Sequence, residues 1–185
     1  LFEAEEITYF QLHQRANRTG CLLQSLGIEK GDRVAVMLEN CPEFIELYLA
    51  CSRLGAIFVP INFRLAPPEL DYTLRNCRPR LFLFGSNFSE TVFALNLNQR
   101  RPLMELACLG KQSCSSDVFD YHQGVMEFEG QRPFLTKSLG PADPEEPQVI
   151  MYTSGTTGQP KGAVLSHRKT FFNCLNADIF FKLHF

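Results

Sequence analysis

Between Tyr152 and Gly162 the chain reads YTSGTTGQPKG, a dense gathering of groups able to do chemistry. Gly155, Gly158 and Gly162 allow backbone angles closed to other residues and let main-chain N–H groups approach a ligand closely. Thr153, Ser154, Thr156 and Thr157 add hydroxyl donors, and Lys161 adds a full positive charge. Together they suit a triphosphate, held by amides, hydroxyls and a point charge. A plain polar turn accounts for a glycine or two and leaves the hydroxyls and the lysine unexplained. The Walker pattern GxxxxGK[ST] does not fit either. Counted from Gly155, Pro160 stands where the second glycine belongs and Gly162 where Ser or Thr belongs. Pro160 also lacks the N–H that a Walker loop aims at phosphate. The dinucleotide pattern GxGxxG is absent.

Short apolar runs flank this loop and must position it. Val149–Tyr152 (VIMY) and Ala163–Leu165 (AVL) read as strands, and Ser166 as the cap of a helix starting near His167. Upstream, Thr8 and Gln11 form a capping box, with Ile7 and Leu12 placed as a hydrophobic staple. Leu12, Ala16, Gly20, Leu23 and Leu26 give that first helix one apolar face, and Gly27 and Gly31 end the unit. Arg33–Leu38 (RVAVML) is apolar enough for a strand buried on both faces. Pro42 opens a helix at a favourable early position. Phe44, Leu47, Tyr48, Cys51 and Leu54 recur in it at helical spacing, and Gly55 closes it. Ala56–Ile61 and Arg80–Phe84 read as further strands, separated by a helix that Pro67 and Pro68 open and that Leu70, Leu74 and Cys77 carry. Strands alternating with helices predict an α/β fold, a mainly parallel sheet flanked by helices.

The predicted organisation is helix and strand alternation over 1–112, a surface connection rich in Pro, Gly and acidic residues over 113–148, and strand, loop, strand and helix over 149–185. Hydrophobic residues are 45% and charged residues 21% of the 185, the mix of a globular chain. The net charge of -2 and the lack of a basic stripe in sequence argue against a nucleic-acid partner. Seven cysteines with no CxxC pair fit neither a zinc site nor a disulfide framework, so reduced, mostly buried thiols in a cytoplasmic protein are expected. No apolar run is long enough to span a membrane, which leaves peripheral membrane contact open. The acidic start, LFEAEEITYF, is unlike a signal peptide. The chain begins at Leu1 and stops at Phe185 inside an apolar stretch, and is expected to be a fragment. His167 has two readings, a residue near the site or a helix N-terminal position, and the second is favoured. His13, His122 and His184 have no partner at metal or catalytic spacing. Glu5, Glu6, Glu145 and Glu146 read as solvated surface.

YTSGTTGQPKG followed by AVLSH resembles the phosphate-loop signature of the adenylate-forming superfamily. Gly31–Val36, Gly55-Ala56, Pro60-Ile61-Asn62 and the run from Arg64 to Leu70 extend the likeness upstream, toward fatty-acyl-CoA and 4-coumarate:CoA ligases. The resemblance implies the front portion of a large N-terminal AMP-binding domain, without the C-terminal lid. It implies a carboxylate, most readily a fatty acid, attacking the α-phosphate of ATP to give an acyl-adenylate and pyrophosphate, with coenzyme A then taking the acyl group. An amino-acid adenylation domain of a peptide synthetase and a truncated, non-catalytic nucleotide-binding module remain the alternatives. By motif position Thr153, Ser154, Gly155, Thr156, Thr157, Gly158 and Lys161 are implied as ATP-binding residues, with Lys161 stabilising charge on the leaving pyrophosphate. Mg²⁺ is implied as well, through a residue the sequence does not single out. The family's acid-pocket, adenine, ribose and lid elements are not in the 185 residues, so the chain alone is expected to be inactive.

Overall fold

A computed structural model describes residues 6–95, 97, 104–110, 118–129, 143–153 and 159–181. The elements in chain order are α1 (Tyr9–Ser25), β1 (Arg33–Met37), α2 (Pro42–Leu54), β2 (Ile57–Pro60), α3 (Pro67–Cys77), β3 (Leu81–Gly85), a 3-10 turn (Ser86–Phe88), α4 (Ser89–Phe93), β4 (Glu105–Leu109), β5 (Phe119–Asp120), α5 (Tyr121–Met126), β6 (Pro147–Thr153), β7 (Lys161–Ser166) and α6 (His167–Phe181). Seven strands form one sheet in the order β5-β4-β3-β1-β2-β6-β7. Every neighbouring pair is parallel except β6 and β7, which form an antiparallel hairpin. The expected α/β class and mainly parallel sheet are what the chain forms.

The strand order puts helices on both faces. From β1 the chain moves one way to β2, then back across β1 to β3 on the other side. Parallel crossovers keep one hand, so opposite directions of travel place α2 and α3 on opposite faces. Alternate strand residues therefore feed two cores. Val34, Val36, Phe58, Leu81 and Leu83 meet Leu22 and Leu23 of α1 and Leu47, Ala50, Cys51 and Leu54 of α2. Ala35, Met37, Val59, Phe82 and Phe84 meet Leu70, Leu74 and Cys77 of α3 and Val92 of α4. This burial on both sides is why RVAVM and LFLFG carry no polar alternation.

Helix ends follow local chemistry. Thr8 Oγ1 accepts from the Gln11 N–H at 3.2 Å, while Gln11 Oε1 accepts from the Thr8 N–H at 2.8 Å, so the expected capping box forms. Gly55 ends α2 in the left-handed region with φ 69°, its N–H bonding back to Cys51 and Ser52 carbonyls. At α3, Glu69 supplies a one-armed cap, its carboxylate accepting from the Ala66 N–H at 3.0 Å.

Three expectations need correction. The stretch 113–148 is more than a surface connection. Residues 118–129 add β5 to the sheet edge and lay α5 against α1, with Tyr121 only 2% exposed and its hydroxyl 2.8 Å from Thr19 Oγ1. The polar flanks hid an element too short to show periodicity. Glu46 also breaks the apolar reading of α2, since it is buried at 4% exposure. Arg15 of α1 lies 3.7 Å from its carboxylate and offsets part of the cost of burying it. Finally, Cys108 of β4 is disulfide-bonded. Cys41, Cys51, Cys77 and Cys174 are free thiols, of which only Cys174 is exposed.

Candidate functional site

The loop is the connection of the β6–β7 hairpin. Antiparallel pairing runs from Val149↔Leu165 through Tyr152↔Gly162 to Thr153↔Lys161. Thr153 and Lys161 thus face each other at the mouth of the loop, both exposed to solvent. Of the residues singled out from sequence, Ser154, Gly155, Thr156, Thr157 and Gly158 lie outside the described residues. The pairing at the loop's two ends fixes where they start and return.

The hairpin is anchored on the parallel sheet. β6 pairs with β2 through Phe58↔Val149, which brings the end of β6 beside the carboxyl ends of β1 and β2. Open α/β sheets bind ligands outside the carboxyl ends of their strands. Here a cleft of about 560 Å³ opens at that end, between Leu38 and Asn40 after β1, Ile61, Asn62 and Phe63 after β2, and Tyr152, Thr153 and Pro160 at the loop. The volume is in the range of a small-molecule pocket.

Tyr152 ties the loop to α3. Its hydroxyl donates to Asn76 Oδ1 at 2.5 Å. Burial pushes its phenol up to about 12, with the neighbouring Cys77 and Tyr72 adding to the rise, so the group stays neutral and keeps its donor proton. Across the strand pair, Gly162 does not use a left-handed backbone, and the expectation that it is there for special angles is corrected. It is there for space. A Cβ on Gly162 would lie 2.9 Å from Ile150 Cγ2 and 3.2 Å from Tyr152 Cζ, so any side chain would displace the tyrosine ring.

His167 occupies the first position of α6, where its N–H bonds the Glu146 carbonyl at 3.2 Å. Ser166 Oγ accepts from the Lys169 N–H at 3.4 Å, so Ser166 caps the helix as expected. Lys30 holds the segment before β6 through an ion pair of 2.5 Å to Glu146, which is therefore paired rather than merely solvated. Asn76 escaped sequence reading because nothing in YTLRNC marks it; its neighbour Tyr152 comes from a strand far along the chain. Asn40 and Thr73, which line the cleft, carried no motif, and Asn62 entered only within the stretch Pro60-Ile61-Asn62.

The donor set fits an anionic nucleotide. Thr153 and Lys161 offer a hydroxyl and a cation at the loop mouth, and the cleft beside them has polar walls at Asn40, Asn62 and Thr73. Among the described residues no three His, Cys, Asp or Glu side chains converge on a metal-sized site. No helix among them is long and apolar enough to cross a membrane.

The family model described as AMP-binding enzyme matches residues 1–184. A crotonobetaine/carnitine–CoA ligase of Salmonella arizonae is 36% identical over 168 residues, covering 89% of this chain and 31% of its own length. The anthranilate CoA ligase AuaEII, solved with anthranoyl-AMP, superposes with a TM-score of 0.77 at 28% identity, over 90% of this chain and 31% of its own. ATP-bound MatB from Rhodopseudomonas palustris gives 0.76 at 28% identity, over 96% and 33%. The chain thus spans about a third of the relatives it matches. With the family model matched over residues 1–184, the chain belongs to the AMP-binding enzyme family.

Proposed function

We infer that this chain is the phosphate-holding part of an acid–thiol ligase. A carboxylate oxygen attacks the α-phosphorus of ATP, the bond to the β-phosphate oxygen breaks, and acyl-adenylate and pyrophosphate result. The thiol of coenzyme A then displaces AMP from the acyl carbon. Negative charge gathers on the leaving pyrophosphate in the first step, and fixed donors aimed at it lower that barrier. Lys161 supplies the cation and Thr153, Ser154, Thr156 and Thr157 the hydroxyls, while Gly155 and Gly158 let the loop amides approach. Mg²⁺ would add charge neutralisation at the same phosphates, with a loop threonine as the candidate contact.

The observation that carries this reading is the Thr153↔Lys161 pair closing the hairpin at the carboxyl end of the sheet. Relatives named for CoA ligation and neighbours solved with an acyl-adenylate or with ATP support it. The relatives named act on unlike acids, from crotonobetaine to anthranilate to fatty acids, and a fatty acid is the proposed substrate here. The test is acid-dependent pyrophosphate release across a panel of fatty, aryl and amino acids. Release with a fatty acid that drops on Lys161→Ala supports the reading; release with no acid, or an unchanged rate in the variant, overturns it.

A further inference from the structure

At the opposite end of the sheet from the phosphate loop, the fold brings Arg33 to three arginines of the run RNCRPR, residues 75–80. Arg33, Arg75, Arg78 and Arg80 line a cleft of about 450 Å³, with Asp32 the single acidic residue in its wall. Leu74, Pro79 and Met104 complete the lining and give it an apolar side.

The four guanidinium groups differ in what holds them. Arg33 is fixed by carbonyls, donating to Cys77 O at 3.0 Å, Arg78 O at 2.7 Å and Gly31 O at 3.2 Å. The Cys77 and Arg78 carbonyls end α3, so the Arg33 guanidinium caps that helix at the negative end of its dipole. Arg75 pairs with Asp71 at 2.6 Å. The Asp32 carboxylate accepts from the Glu29 N–H at 3.0 Å. Arg78 and Arg80 are exposed, and among the described residues no carboxylate lies within ion-pair distance of either, or of Arg33. Arg78 has φ 47°, the only described non-glycine residue in the left-handed region. Glycine is the residue that helix ends favour in this conformation, so an arginine is held there against its own backbone preference. Arg78 and Arg80, with no ion-pair partner among the described residues, and the carbonyl-held Arg33 beside them give one cleft a focused positive field. Planar guanidinium forks match phosphate oxygens two at a time.

We propose that this cleft, at the amino-terminal end of the parallel sheet, is a second anion site that takes a phosphate-bearing small molecule, a nucleoside diphosphate in size, with its phosphates on Arg33, Arg78 and Arg80 and its organic body against Leu74, Pro79 and Met104. The site is separate from the phosphate loop and independent of the ligase reading.

Calorimetric titration of ADP into the Lys161→Ala chain tests it, since that background weakens the loop and leaves the cleft intact. One-to-one binding is expected, together with a fall of at least tenfold when Arg78→Gly and Arg80→Gln are added. Adenosine is expected not to bind. Arg78→Gly relaxes a strained backbone, so the melting temperature should hold or rise; should it fall, Arg80→Gln alone decides, with the same loss expected. No ADP binding by the Lys161→Ala chain, undiminished binding in the arginine variants, or adenosine binding as tightly as ADP overturns the proposal.

Discussion

Glu46 makes the fold's stability depend on pH in a direction opposite to that of most paired carboxylates. Its side chain is 6% exposed between α1 and α2. Burial pushes its carboxyl from an ordinary 4.5 up to about 7, the Glu43 carboxylate adds to the rise, and Arg15 at 3.7 Å opposes it. The folded chain therefore holds a proton that the unfolded chain releases. Between those two values the native state binds more protons, so unfolding free energy falls as pH rises. The stabilising share is complete below the unfolded value and is lost as pH climbs through the folded one. A shift of this size corresponds to about 3 kcal/mol between pH 4 and pH 8. Glu46→Gln keeps the shape and cannot ionise. Its stability relative to wild type should rise with pH, by up to about 3 kcal/mol, or roughly 6–12 °C in melting temperature for a domain of this size. Parallel thermal melts of the two proteins at intervals from pH 4.5 to 8 measure the difference directly, and other titrating groups cancel. A difference that stays flat, or that favours the glutamate as pH rises, would mean that Arg15 outweighs burial and would refute the reasoning.

Other expectations follow from single contacts. Lys161→Ala should slow adenylate formation by about 10²-fold, the loss of one charge-stabilising donor, read by ATP–pyrophosphate exchange. Gly124→Ala would put a Cβ 2.2 Å from Phe119 Cζ and 3.0 Å from Leu22 Cδ1, so despite alanine's helix preference it should destabilise by about 1–3 kcal/mol in denaturant titration. Tyr121→Phe leaves the buried Thr19 hydroxyl without its 2.8 Å partner and should cost about 1–2 kcal/mol, most of which the added Thr19→Val should restore. Gly162→Ala should push the Tyr152 ring off Asn76 and lower ATP affinity, while Asn76→Leu should do the same without touching the motif.

What the sequence determined by itself is local. The capping box at Thr8, the proline starts at Pro42 and Pro67, the glycine stop at Gly55 and the strands RVAVM and LFLFG are set by neighbours a few residues away, and they form where those neighbours put them. The family signature at 152–162 is equally local, and it led to the family that the whole-chain match shows. Tertiary structure decided everything that needs two distant segments at once. Tyr121 joins the core because α1 offers Thr19 to its hydroxyl, and no periodicity in so short a helix announces that. Glu46 is buried where α1 packs on α2, and Arg15 reaches it from that other helix. Gly162 is a glycine because Tyr152 lies across the ladder, a matter of register rather than of backbone angle. Arg75, Arg78 and Arg80 are close in sequence, but Arg33 joins them in one cleft only when β1 and β3 pair in parallel. Sequence carries short-range hydrogen bonding and burial pattern, whereas charge and space add up across strands, and that sum exists only once the sheet has formed.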